Sequence, residues 1–157
     1  MDLVLTHEEV RVLGSLIEKQ STTPETYPLS LNALRNACNQ KTSRDPVVTY
    51  SEEAIKQALD GLRGKNLVFV VYGENRVARY GQILDTVFNL ERSQLSALCV
   101  LMLRGPQTAG EVRQHATPLH HYLDLADVEA ALEALIDRDD QVLAAKLPRP
   151  MSTKEPR

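Results

Sequence analysis

The feature that most constrains this chain is an internal echo of one helical plan. Leu95, Leu98, Leu101 and Met102 repeat, 85 positions on, the spacing of Val10, Leu13, Leu16 and Ile17. Further along, Val128, Ala131, Leu132 and Leu135 repeat Ile55, Ala58, Leu59 and Leu62 at a shift of 73. Apolar residues at i, i+3, i+6 and i+7 in the first pair, and at i, i+3, i+4 and i+7 in the second, make one buried stripe on a helix, so both pairs of stretches read as amphipathic helices. The shifts differ by 12 residues, a deletion that fits in connecting loops while the core-forming positions survive. A chain of 157 residues divided this way is two small domains, residues 1–83 and 84–150, followed by a tail at 151–157 expected to be disordered.

The elements of the first copy can be read from their punctuation. Thr6 with Glu9 three positions on has the spacing of a reciprocal helix cap, and the helix it opens ends near Gln20. Pro24 and Pro28 bracket a short extended segment, because proline pushes the residue before it out of the helical region. Ser30 caps a second helix with Leu31, Leu34 and Cys38 inward; Thr49 or Ser51 caps a third that ends around residues 64–66. The period then changes to that of strands, with Leu67 to Tyr72 and Arg76 to Tyr80 flanking a Gly73 turn. Helix, short extended segment, helix, helix, hairpin is the layout of a winged helix, a helix-turn-helix variant whose hairpin is the wing.

In the second copy, the helix from Leu90 to Leu103 is followed by a short one from Thr108 to about His115 and by one near Asp124. Val142 to Leu147 reads as a first wing strand with no return strand after it. The expected class is therefore mainly α with small β-hairpin wings, as two tandem winged-helix domains, the second wing incomplete or the chain stopping short of it. Scarce aromatics, 5 Tyr, 2 Phe and no Trp, agree with a core of Leu, Val, Ile and Ala in packed helices.

Several stretches carry a resemblance: RVLGSLIEKQ at 11–20, YPLSLNAL at 27–34, ACNQK at 37–41, RDP at 44–46, LMLRGPQT at 101–108 and LPR at 147–149. In this order, across nearly the whole chain, they resemble the YceH family of bacterial proteins. The resemblance implies a tandem winged-helix protein of uncharacterised role and brings no catalytic or binding residues with it. Members of that family continue past the segment similar to residues 147–149 with aromatic and charged residues, and this chain departs from that pattern.

No constellation of catalytic chemistry stands out. His120 and Asp124 are four apart, but a zinc site needs three or four ligands, so no metal is expected. There is no Gly-rich phosphate loop and no nucleophile with a base at a recognisable spacing, so the chain is read as non-enzymatic, with no cofactor and no small-molecule substrate. Cys38 and Cys99 fall at apolar helical positions and read as buried free thiols. Neither a membrane span nor a basic, apolar leader is evident at Met1 and Asp2, giving a cytoplasmic expectation without a membrane partner.

Charge distribution directs the functional reading. Residues 1–83 hold 10 basic and 10 acidic side chains, residues 84–157 hold 8 and 11, so the net charge of −3 belongs to the second copy. In the first, Arg35, Lys41 and Arg44 flank the connection between the second and third helices, Lys56 lies on the third, and Arg76 and Arg79 lie on the wing. Those are positions from which a helix-turn-helix reaches DNA phosphates. Two alternatives stand beside this reading. The loop can be structural, with Asn39 and Arg44 bonded to backbone groups or acids. The protein can also be an interaction module resembling tandem winged-helix subunits of chromosome-condensing complexes, its acidic second copy meeting a protein partner. The broadly apolar helix from Leu90 to Leu103 serves either a homodimer or the packing between copies.

Overall fold

The computed structural model describes residues 3–73 and 76–145. The chain is mainly helical, with a small antiparallel sheet. Helix α1 (His7–Thr22) leads through a 3-10 turn (Pro24–Thr26) to β1 (Leu29–Ser30), then α2 (Leu31–Cys38) and α3 (Glu52–Gly64). The hairpin β2 (Val68–Tyr72) and β3 (Ala78–Gln82) follows, and α4 (Leu84–Phe88) leads to α5 (Arg92–Arg104), α6 (Ala109–His115) and α7 (Leu125–Ile136). The sheet has the order β1-β3-β2, with Leu29 opposite Tyr80 and Val70 opposite Tyr80 from the other side.

Local chemistry explains where the helices begin. The Thr6 hydroxyl accepts the Glu9 amide at 3.1 Å while the Glu9 carboxylate accepts the Thr6 amide at 2.8 Å. Thr108 and Glu111 repeat the arrangement at the start of α6, at 3.1 and 2.9 Å. Ser30 and Ser51 each accept the amide three residues on, and Asp124 does the same for α7. Each contact satisfies a backbone donor that the first helical turn leaves without an intrahelical partner.

The centre of the molecule is the pairing of α1 with α5. Residues 11–17 of α1 are all buried, because α5 covers one side while α2, α3 and β3 cover the others. In α5, Ser96, Ala97, Leu98, Cys99, Val100 and Leu103 are buried, so its apolar face is taken up between the halves. One cluster of buried side chains runs from Val12 and Leu59 through Leu103 to Val128 and Leu135. At the seam Gly14 permits the close approach. A Cβ there would sit 3.0 Å from Leu103 Cδ2 and 3.1 Å from Met102 Cβ, and the Gly14 carbonyl accepts the Cys99 thiol at 3.3 Å.

Cys38 and Cys99 are free and buried. Burial pushes the Cys38 thiol up to about 11 and raises that of Cys99 further. Since the thiolate is the reactive species, neither should react with a water-soluble disulfide reagent in native protein, and both should react once urea unfolds it. Ready labelling of either in buffer contradicts this burial.

The structure departs from the sequence reading in several places. The first helix runs to Thr22, two residues beyond Gln20, because Thr22 and Thr23 hydroxyls bond back to the carbonyls of Glu18 and Lys19. Most of the segment between the prolines is a 3-10 turn (Pro24–Thr26), and extended backbone begins only at Tyr27 (φ −92°, ψ 138°), leading into β1. The fifth helix begins at Arg92 behind the cap Glu91. The short α4 was not anticipated. It begins where the Gln82 side chain accepts the Leu84 amide at 2.8 Å, and it closes on Asn89 in the left-handed region. In the second half, residues 142–145 form no strand: the Leu143 amide bonds to the Leu135 carbonyl at 2.9 Å, at the end of α7. Residues 146 and 147 of that expected strand, and the expected tail at 151–157, lie outside the described residues.

Candidate nucleic-acid interface

The six basic residues singled out above separate into two groups. Arg35 on α2, Lys41 in the connection, Lys56 on α3, and Arg76 and Arg79 on the hairpin are exposed, and among the described residues none takes part in an ion pair. Two of the five are steered by backbone carbonyls. Arg79 donates to the Pro28 carbonyl at 3.2 Å and Arg35 to that of Tyr50 at 3.4 Å. Arg76 sits in the left-handed region (φ 58°) and its amide bonds to Gly73 at 2.9 Å, which turns the chain back toward β3.

Arg44 has a different place from the one expected of it. Its side chain is 0% exposed and forms a two-pronged pair with Glu18, Nη1 to Oε2 at 3.0 Å and Nη2 to Oε1 at 2.8 Å. The same guanidinium donates to the carbonyls of Ala37 (3.0 and 3.2 Å) and Ser43 (2.9 Å). With its donors turned inward it has no face for a phosphate. The structural alternative for Asn39 and Arg44 is the observed one.

Arg11 on α1 does similar work from the other side, donating to the carbonyls of Cys38 (2.9 Å) and Pro46. Asn39 brackets Tyr50, giving its amide to the Tyr50 carbonyl at 2.9 Å and accepting the Tyr50 amide at 2.8 Å. A connection of this length has no ladder or helix to satisfy its backbone, and these three side chains supply the missing partners. Sequence reasoning missed Arg11 because it lies within a helical stripe of apolar residues.

The face where base reading would occur is mixed. Glu52, Glu53, Lys56, Gln57, Asp60 and Arg63 are all exposed on α3. On α7 and just after it, Glu129, Glu133, Asp137, Asp139 and Asp140 are exposed, and the nearby Arg138 is held by Asp140 at 2.9 Å and lies over the Phe88 ring. The hairpin adds apolar surface at Val71, Tyr72 and Val77, with Tyr72 68% exposed. Among the described residues no three His, Cys, Asp or Glu side chains group to hold a metal, and His120 lies outside α7, edge-on to Tyr122. No helix among them is long and apolar enough to cross a membrane.

Comparison with known sequences places the chain. The family described as a protein of unknown function, DUF480, matches residues 5–153. The chain belongs to the DUF480 family. A UPF0502 protein of Opitutus terrae is 50% identical over 155 residues, covering 98% of this chain and 67% of the relative. UPF0502 proteins of Citrifermentans bemidjiense and Pelobacter propionicus are 50% and 48% identical over all 157 residues, covering 73% and 71% of their own lengths. UPF0502 is the family that the YceH-like motifs pointed to. The DUF480 relatives are bacterial and their names carry no activity, so a role for this chain rests on its own residues.

Proposed function

We propose that this DUF480 chain is a non-enzymatic, tandem winged-helix protein that binds duplex DNA through its first half. The observation carrying this reading is the division of the basic residues within residues 7–82. Arg44 is consumed inside, while Arg35, Lys41, Lys56, Arg76 and Arg79 stay exposed and unpaired on α2, the connection, α3 and the hairpin. The element order and the β1-β3-β2 sheet support a winged helix, in which these positions approach the backbone of a duplex. Phosphate contact by cations releases condensed counterions and shows as salt dependence. With five such contacts, affinity for random duplex should fall with a log–log salt slope of about −4 to −5, roughly 500-fold between about 50 and 200 mM. Lys41→Glu with Arg79→Glu should reduce that slope by about 2. An unchanged slope in the double variant overturns the assignment of these contacts.

A second reading is favoured by the acid-rich surface of α7, which would repel a duplex. In it the second half meets a protein partner, in the manner of the tandem winged-helix subunits of chromosome-condensing complexes. Absence of duplex binding at low salt removes the first reading and leaves this one.

A further inference from the structure

The second half carries a feature that duplex binding does not use. Between α6 and the connection leading to α7 lies a cleft of about 280 Å³, lined by Gly110, Arg113, Gln114, Thr117, His121 and Tyr122. In an acidic half of the molecule this lining contains no carboxylate. The neighbouring acids are engaged with backbone amides: Asp127 with Leu123 at 2.9 Å, Asp124 with Asp127 at 2.9 Å, Glu111 with Thr108 at 2.9 Å. Arg113 is exposed; its Nη2 donates to the Leu123 carbonyl at 3.2 Å, and its remaining N–H groups have no partner among the described residues. The His121 ring and the Gln114 side-chain amide have no hydrogen-bond partner among the described residues. Gly110 places no side chain in the way, since a Cβ there meets only Thr108 Oγ1 at 4.0 Å.

The geometry points to a binding site for a small organic oxyanion, its phosphate or carboxylate group held by the fork of Arg113 with His121 and Gln114 beside it. A planar guanidinium pairs with either group through two parallel hydrogen bonds. The volume is just below the roughly 300–1,000 Å³ typical of small-ligand pockets. It corresponds to about nine waters at ~30 Å³ each, so a bare anion leaves room for the body that carries it. The site is distinct from the first-half cations, and its test does not depend on duplex binding.

The test is an amide NMR titration of the whole chain with inorganic phosphate and, separately, with acetate, each replacing chloride at constant ionic strength. Saturable shifts centred on Gly110, Gln114, Thr117 and His121 are expected. Saturation by phosphate alone assigns a phosphorylated ligand, and saturation by acetate assigns a carboxylate. Arg113→Gln should weaken binding at least roughly tenfold, in line with loss of a charge-assisted pair of bonds. His121→Ala, which leaves the Arg113 bond to Leu123 intact, should weaken it less. No saturable shift with either anion, or saturation undiminished in both variants, overturns the site.

Discussion

Arg44→Ala is expected to cost about 3–5 kcal/mol of folding stability, the range for removing one partner of a buried ion pair. The loss comes from what remains behind. Glu18, whose side chain is 13% exposed, keeps Lys19 at 3.3 Å but loses both prongs of the guanidinium. The Ser43 carbonyl loses this donor in the same step, and the Ala37 carbonyl is left with backbone amides alone, that of Gln40 at 3.4 Å. Acid titration adds a sign that simple loss of packing does not predict. Burial pushes the Glu18 carboxyl up, the hydrogen bonds and charge of Arg44, with a smaller contribution from Lys19, pull it down more, and the net position is below the usual carboxylate value. A depressed folded pKa contributes stability above the unfolded value, near roughly pH 4.3, and that contribution is lost as pH falls through the folded one. The gap between wild type and Arg44→Ala should therefore narrow as pH drops through this range. Urea melts across pH measure it. A gap below about 1 kcal/mol at neutral pH, or one that stays constant with acidification, contradicts the role given to the pair.

Gly14→Val should be nearly as damaging. Even a bare Cβ at this position meets Leu103 and Met102 at 3.0–3.1 Å, and the two γ carbons of valine have to be accommodated by moving α5 off α1. Overpacking a core in this way costs about 1–3 kcal/mol and sometimes more. Here it strikes the contact that joins the halves, so both should lose stability in one transition. Leu103→Ala alone should cost about 2–5 kcal/mol through its cavity. Combined with Gly14→Val it should cost less than the sum, because the valine occupies space the leucine vacates. Additive losses would show that Gly14 and Leu103 do not share the seam.

What was readable in the sequence were features whose partners lie a few positions away. Thr6 and Glu9, and the serines before α2 and α3, announce their helices because the capping oxygen and the backbone amide that donates to it are three residues apart. The hairpin shows through its change of period around Gly73. The burial of Arg44 was hidden because Glu18 is 26 positions earlier, and a basic residue in a polar loop looks the same whether it faces water or a distant carboxylate. Gly14 was hidden for the same reason, since its neighbours Met102 and Leu103 lie far along the chain. Apolar periodicity also understated α1. The stripe of Val10, Leu13, Leu16 and Ile17 marks one face, whereas Arg11, Gly14 and Ser15 are buried too, and only a helix enclosed on several sides has that pattern.

The enclosure of α1 has a consequence for how the protein is made. Cys99, which meets the Gly14 carbonyl, is 85 residues later in the chain. At about 5–20 residues per second, the ribosome needs roughly 4–17 s to synthesise that stretch. During that interval α1 has α2, α3 and the sheet to lean on, but the flank reserved for α5 is open to water and to other nascent chains. The final burial of the first half therefore waits on synthesis of the second.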